Sequence, residues 1–251
     1  MPASRSSVGR AIRVLELAAQ RERAFTAAGL ARDAGLPAAA VRRLLASLEQ
    51  EGLLLRAPGS RAYALAPRFQ AIALDALRNS AARGERHAIL EALVAELGET
   101  CNITLLDGNR VYYLDRVESH WPLRLHLAPG SRVPLHCTAS GKLFLASMPK
   151  RTMRALLRAA PLERCTPRTR VSPAALEREL DRLRRKGIGM DDEEFITGLV
   201  AVAAPVRDAK KRVIGAVAVH APSVRLDIDA ALAHLPRLRK AADAIAKTFE
   251  N

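Results

Sequence analysis

The chain has 251 residues, 49% hydrophobic and 26% charged, a composition typical of a globular protein rather than of a disordered one. Forty Lys and Arg against 26 Asp and Glu give a net charge of +14. This excess favours a polyanionic partner, nucleic acid or an anionic membrane, although a genome that prefers arginine codons is an alternative explanation.

The cysteine pattern and the lack of long apolar segments narrow the class of protein further. The cysteines Cys101, Cys137 and Cys165 are widely spaced and form no C-x-x-C pair, so we expect no disulfide framework, no metal site and no cofactor. The amino terminus lacks the pattern of a secretory signal, and no apolar run approaches the roughly 20 residues of a membrane span. We therefore expect a cytoplasmic protein without a membrane segment.

Three helices are predicted near the amino terminus. An apolar stripe that begins at Val8 indicates the first. Thr26 is a good N-cap for a short second helix, Ala27–Ala34, which Gly35 ends. A Gly-Leu-Pro turn then leads into a longer third helix, Ala38–Glu51. A short helix, a tight turn and a longer helix are typical of a helix-turn-helix.

The third helix is amphipathic, and two short β-like runs, 53–56 and 62–65, follow it around a Pro-Gly-Ser-Arg turn. Together these features predict a winged helix-turn-helix over residues 1–66, with the polar face of the third helix in the major groove of double-stranded operator DNA. A small helical domain with a solvated arginine face is the alternative. The candidate DNA-binding residues are Thr26, Ala39, Ala40, Arg42, Arg43 and, at the tip of the wing, Arg61.

Residues 67–98 are rich in strong helix formers, and Gly84 within them suggests two helices, the first being a linker over 67–82. From residue 83 to 251 short strands alternate with helices, which predicts an α+β sensor domain with an antiparallel sheet. The predicted strands are Cys101–Leu106, Arg110–Arg116, Leu123–Leu127, 187–190, 199–205 and 213–220, and the helices are Ala139–Ser147, Arg151–Arg158, Pro173–Lys186 and 227–249.

Five segments in this order resemble the IclR family of bacterial transcriptional regulators: AGLARDAGLPAAAVRRLLASLEQEGLLLR, LDRVES, VPLHCTASGKLFLA, GIGMDDEEFITGLVAVAAPVRD and VIGAVAVHAP. The resemblance covers nearly the whole chain. It implies a winged-helix DNA reader, a linker helix and a GAF-like effector-binding domain. It also implies homodimers that can pair into homotetramers, and no catalysis.

The resemblance also places a pocket for a small organic acid. A helix N-terminus suits a carboxylate because its backbone N–H groups are free. His220 is expected to add a cation or a hydrogen bond. Where relatives use Cys and Ser, this chain has Ala201 and Ala218, which predicts a roomier pocket for an acid larger than pyruvate, aromatic ones included. The candidate effector-binding residues are Ala139, Ser140, Asp191, Ala201, Ala218 and His220.

The sequence also contains fragments of motifs that belong to other functions. GKL at 141–143 lacks the glycine and the Ser/Thr of a P-loop. The acidic run 191–194 reads as a solvated loop rather than a metal site. A thiol-dependent enzyme that uses Cys137 is the main alternative, but Cys137 and His136 are neighbours that would face opposite ways on an extended chain. A regulator that acts by protein contact without a ligand is the third possibility.

Overall fold

The computed structural model describes residues 6–21, 24–57, 59–121, 127–159 and 161–249. Two compact units divide the chain, Met1–Leu77 and Arg78–Asn251, so the division falls inside the predicted linker segment. None of the helices in the described ranges combines the length and the apolar character that a membrane span needs.

The first unit contains three helices, a two-stranded antiparallel sheet and a fourth helix. Apolar residues from the first three helices and both strands form one core, which includes Val14, Leu30, Leu45 and Tyr63. This arrangement confirms the predicted winged helix-turn-helix. Its elements are α1 Ser7–Ala19, α2 Ala27–Ala34, α3 Ala38–Gln50, β1 Leu54–Arg56, β2 Tyr63–Leu65 and α4 Pro67–Arg78.

The second unit is built on a six-stranded antiparallel sheet in the order β5-β4-β3-β8-β7-β6. Helices α6, α7 and α8 pack in one apolar cluster with one face of the sheet, and α5 and α10 lie against strands β3, β4, β7 and β8. The α+β fold class is thereby confirmed. The elements are α5 Arg83–Leu97, β3 Thr100–Asp107, β4 Arg110–Val117, β5 Arg132–Pro134, α6 Ala139–Ser147, α7 Lys150–Ala159, α8 Pro173–Lys186, β6 Gly189–Asp192, β7 Leu199–Arg207, β8 Val213–Pro222, α9 Ile228–Ala233 and α10 Leu235–Lys247.

Three details differ from the sequence-based expectation. The break between α4 and α5 lies at residues 79–82, whereas Gly84 is inside the first turn of α5. The closing helix is two helices, because Pro236 stands at the start of α10, where its missing N–H costs no hydrogen bond. The short strand β5 was not predicted. The predicted strand Leu123–Leu127 falls almost wholly on residues 122–126, outside the described residues.

Candidate functional site

Helix α2, which precedes the turn to α3, is capped at both ends. Thr26 Oγ1 accepts a hydrogen bond from the backbone N–H of Gly29 at 3.2 Å, which starts α2. Gly35 ends it with φ of 63°, a left-handed conformation that disfavours other residues. With Val41 and Leu45 fully buried on the opposite face, the polar face of α3 is turned to solvent.

The predicted arginines lie on that exposed surface. Arg42 and Arg43 on α3 and Arg61 in the wing are all exposed, and in the described ranges none of the three takes part in an ion pair. Arg56 differs, since its Nε lies 3.2 Å from Glu49 Oε1 and its guanidinium lies 5.1 Å from the centre of the Tyr63 ring. The first three cations are therefore available to an external anion.

The other three predicted DNA-binding residues offer less chemistry. Ala39 is exposed and Ala40 half-buried, and both present only methyl groups. Thr26 is exposed, but its hydroxyl oxygen already accepts the capping bond of α2. Among the six predicted residues the arginines are therefore the main hydrogen-bond donors for base edges, while an alanine methyl can contact thymine.

In the second unit, one pocket contains all six predicted effector residues. It opens between the start of α6 and the face of the sheet that α6 covers. The full lining is Asn102, Val111, Tyr113, Leu127, Val133, Thr138, Ala139, Ser140, Asp191, Phe195, Leu199, Ala201, Ala218 and His220.

Strand register explains why these residues meet. Asp191 pairs with Ala201, which pairs with His220 on the next strand, so the three side chains form one row across β6, β7 and β8. Ala218 pairs with Asn102 of β3 in the neighbouring row. Residues in one row of an antiparallel sheet share a face, so widely separated sequence positions line one pocket.

Glycine allows the start of α6 to approach this sheet closely. A Cβ atom on Gly189 would lie 2.0 Å from the carbonyl oxygen of Ala139, far inside van der Waals contact. Thr138 Oγ1 caps the helix by accepting from the N–H of Gly141 at 3.3 Å. The N–H groups of Ala139 and Ser140 have no acceptor within the helix, so they remain available for an anion.

His220 is a neutral hydrogen-bonding group here, so the expected cation is not supported. Burial and the nearby Arg116 lower the pKa of His220 to about 3. Asn102 Nδ2 donates to His220 Nδ1 at 3.1 Å, which places the imidazole proton on Nε2. His220 Nε2 and Asn102 Oδ1 are both buried without a hydrogen-bond partner among the described residues. Among the described residues, the pocket lining thus provides one unsatisfied donor and one unsatisfied acceptor from two hydrogen-bonded side chains.

The acidic run 191–194 is not the solvated loop that its composition suggested. Asp191 and Glu194 are 2% and 1% exposed. Asp191 Oδ1 accepts the backbone N–H of Glu194 at 2.8 Å, which closes a tight turn. Burial raises the pKa of Asp191 to about 7, against the opposing attraction of Lys142. The run is therefore structural and borders the pocket.

A buried ion cluster, which no local sequence pattern predicts, lies next to this turn. Lys142 is fully buried and its ammonium group pairs with the Glu194 carboxylate. Arg170 Nη1 lies 2.5 Å from the same carboxylate. Because buried charges are costly unless paired, this cluster holds α6 and the turn in one arrangement.

Small and bulky side chains line the pocket together. It contains about 390 Å³ of atom-free space, with its mouth included. Ala201 and Ala218 contribute only methyl groups to the lining, whereas Tyr113, Leu127 and Phe195 are its larger apolar members.

The cysteines also differ from expectation. Residues 135–138 form a bend rather than an extended strand, and a ring nitrogen of His136 lies within 4.8 Å of both Cys137 Sγ and Cys165 Sγ. The His136 ring is hydrogen-bonded to the carbonyl oxygen of Glu163 at 2.8 Å, not to a thiol. Burial and Cys165 raise the pKa of the Cys137 thiol, which disfavours the thiolate that a thiol enzyme needs.

A winged helix-turn-helix with exposed arginines, joined to a sheet domain whose pocket contains buried polar groups, defines a transcriptional regulator with an effector-binding domain. The chain belongs to the IclR family. Residues 75–247 match the model of the bacterial transcriptional regulator IclR C-terminal domain, and residues 7–58 match that of the IclR helix-turn-helix domain.

Known proteins agree with this assignment. The chain is 41% identical over 246 residues to the "Probable transcriptional regulator SauR" of Cupriavidus necator, with 98% of each chain covered. The crystal structure of Thermotoga maritima IclR has the same fold, with a TM-score of 0.64, 24% identity, and coverage of 98% and 99%. The inducer-binding domain of an Acinetobacter PobR double mutant, in complex with 3-hydroxybenzoic acid, matches with a TM-score of 0.59 and 26% identity over 64% of this chain and 94% of that one.

Proposed function

We propose that this regulator binds operator DNA as a homodimer, able to pair into a homotetramer, and responds to a small hydroxy acid. One observation supports this class of ligand. The same pocket is lined by the N–H groups at the start of α6 and by two buried atoms without a hydrogen-bond partner among the described residues, His220 Nε2 and Asn102 Oδ1. A carboxylate fits the amides of Ala139 and Ser140. A hydroxyl group fits the other pair, because it both accepts and donates.

Aromatic hydroxy acids remain within the proposed class. The 3-hydroxybenzoic acid of the PobR complex carries the same two groups, a carboxylate and a hydroxyl. In this chain Tyr113, Leu127 and Phe195 line the same pocket, so an aromatic ligand would contact apolar side chains there. Short aliphatic hydroxy acids carry the same carboxylate and hydroxyl groups, so both kinds belong in the test.

The DNA-binding role is assigned to α3 and the wing, with Arg42, Arg43 and Arg61 as the principal contacts and Thr26, Ala39 and Ala40 beside them. Support comes from the exposure of the three arginines, none of which forms an ion pair with another described residue. Helix α4 and residues 79–82 connect the DNA-binding domain to the effector domain. No catalytic role is proposed, because the raised pKa of Cys137 and the bond of His136 to Glu163 oppose a thiol–imidazole pair.

Calorimetry with matched acids tests the ligand class. Lactate is compared with propionate, and 3-hydroxybenzoate with benzoate, each pair differing in one hydroxyl group. We expect the hydroxy acid of at least one pair to bind more tightly, by about tenfold for one satisfied buried hydrogen-bonding site. His220→Ala should remove that preference, while Asn109→Ala, a change outside the pocket lining, should keep it. Binding that is indifferent to both the carboxylate and the hydroxyl group would contradict the proposal.

A further inference from the structure

A second cluster of chemically active side chains lies outside the effector pocket. Cys137 Sγ and Cys165 Sγ are 3.8 Å apart, although 28 residues separate them in sequence. A ring nitrogen of His136 lies near both sulfurs, and the three atoms are all within 4.8 Å of one another. His136 and Cys137 are buried, and Cys165 is exposed, so the cluster has a path to solvent.

The sulfur separation matches a metal site. A tetrahedral zinc ion with Zn–S bonds of about 2.3 Å holds two thiolates about 3.8 Å apart. A disulfide requires a bond of about 2.05 Å, so the two sulfurs would have to close by almost half their separation. Two sulfurs and an imidazole are donors that zinc prefers, and three protein ligands leave a fourth position for water.

The segments that carry these ligands are held in place by hydrogen bonds. The His136 ring is bonded to Glu163 O at 2.8 Å, and the backbone N–H of Cys165 donates to Thr169 Oγ1 at 3.1 Å. Thr169 Oγ1 in turn donates to the carbonyl oxygen of Glu194 at 2.6 Å. The donor set is thus pre-positioned on two anchored segments rather than on free loops.

We propose that His136, Cys137 and Cys165 bind a zinc ion. Cys137 immediately precedes Thr138, the N-cap of α6, so the ion would tie the start of this helix to the segment around Cys165. The site is separate from the effector pocket, since none of its three ligands lines that pocket. It therefore stands or fails independently of the proposed effector.

Cobalt substitution in the full-length, reduced protein tests the site. After treatment with a chelator, titration with Co²⁺ should give one equivalent of a sulfur-to-cobalt charge-transfer band, which Zn²⁺ abolishes. Cys165→Ser should weaken zinc binding by more than about tenfold, the loss that changes around a metal site already cause. This residue is exposed, so the variant should fold. Cys101→Ala removes a buried thiol elsewhere on the sheet and should leave the charge-transfer band and the zinc affinity unchanged.

Thermal unfolding provides a second readout. Zinc should raise the Tm of the wild type and of Cys101→Ala, because a ligand that binds only the folded state stabilises it, and it should not raise the Tm of Cys165→Ser. Absence of the charge-transfer band would overturn the proposal. So would a band that survives in Cys165→Ser, or oxidation of Cys137 and Cys165 to a disulfide in a protein that never binds cobalt.

Discussion

Arg42 and Arg43 are the residues on which sequence-specific DNA binding should depend. Both are exposed on α3 without an ion pair in the described ranges, so their charges are not already engaged. Replacing either with Ala should weaken binding to a DNA fragment selected from a random library by about 1–3 kcal/mol, if it contacts a guanine edge. Arg13→Ala, which removes the same charge from a pair with Glu16, is the control. Equal losses in all three variants, measured by fluorescence anisotropy, would point to net charge instead.

Asp191 should make effector binding depend on pH. Its pKa of about 7 leaves the carboxyl neutral in mildly acidic solution and negative above neutrality, with Lys142, Glu194 and Arg170 as the nearby charges. A negative Asp191 repels the carboxylate of the effector, so affinity should fall as pH rises from about 6 to about 8. Asp191→Asn keeps one side-chain oxygen as a hydrogen-bond acceptor but cannot ionise. The effector affinity of this variant should therefore change less with pH. A wild-type profile as flat as that of the variant would contradict this prediction.

At the residue scale the sequence predicted the two sites unequally. Helical periodicity places Arg42 and Arg43 opposite the buried Val41 and Leu45 without further information. The pocket residues came only from the family resemblance, because strand register, which no local pattern reveals, brings them together. Asn102 carried a weak signal as an amide inside an apolar strand. The burial of Lys142 carried none, since it depends on the distant Glu194.

The element that most controls the pocket is the amino-terminal end of α6, seated on Gly189. A methyl group there would collide with the carbonyl oxygen of Ala139, and backbone cannot yield as a side chain can. Gly189→Ala should therefore lower the free energy of unfolding by about 1–3 kcal/mol or more and weaken effector binding. Gly84→Ala, where nothing lies within 4 Å of the added methyl group, is the matched control and should be neutral or stabilising. Equal stability of the two variants in urea unfolding would show that the close approach is unimportant.

Element boundaries could be predicted where local chemistry sets them. The caps Thr26 and Gly35 fix α2 at the residues expected, and Pro173 with Gly187 does the same for α8. Gly84 does not mark the boundary between α4 and α5, although the sequence suggested that it would. A glycine is tolerated in a first helical turn, and α5 begins one residue before it. The three-residue strand β5 is too short to give a periodic signal, and only its pairing with β4 makes it a strand.

At the scale of the whole molecule, the surface of the first unit suggests self-association. Val8 and Ile12, one helical turn apart on α1, are 67% and 51% exposed, and Ile72 on α4 is 51% exposed. Leu74, also on α4, is buried within the chain. Isolated apolar side chains are common on surfaces, but this pair forms a stripe.

Substituting that stripe tests the proposed dimer. We expect the wild type to sediment as a dimer at micromolar concentration and the double variant Val8→Asp/Ile12→Asp to sediment mainly as a monomer. The reason is that each new carboxylate would be desolvated in an apolar interface. Val224→Asp alters the most exposed of the large apolar side chains in the described ranges and should leave the dimer intact. A wild type that sediments as a monomer would refute the dimer itself.

The regulator model requires that effector and DNA influence each other through the same protein. If the acid prefers one arrangement of the dimer, the factor by which it changes DNA affinity must equal the factor by which DNA changes its own affinity. The direct measurement is a closed cycle: DNA affinity with and without the effector, and effector affinity with and without DNA, at fixed salt. We predict equal factors of about 5–150 in the wild type and no coupling in His220→Ala. DNA affinity that a saturating, pocket-bound effector leaves unchanged would contradict the account.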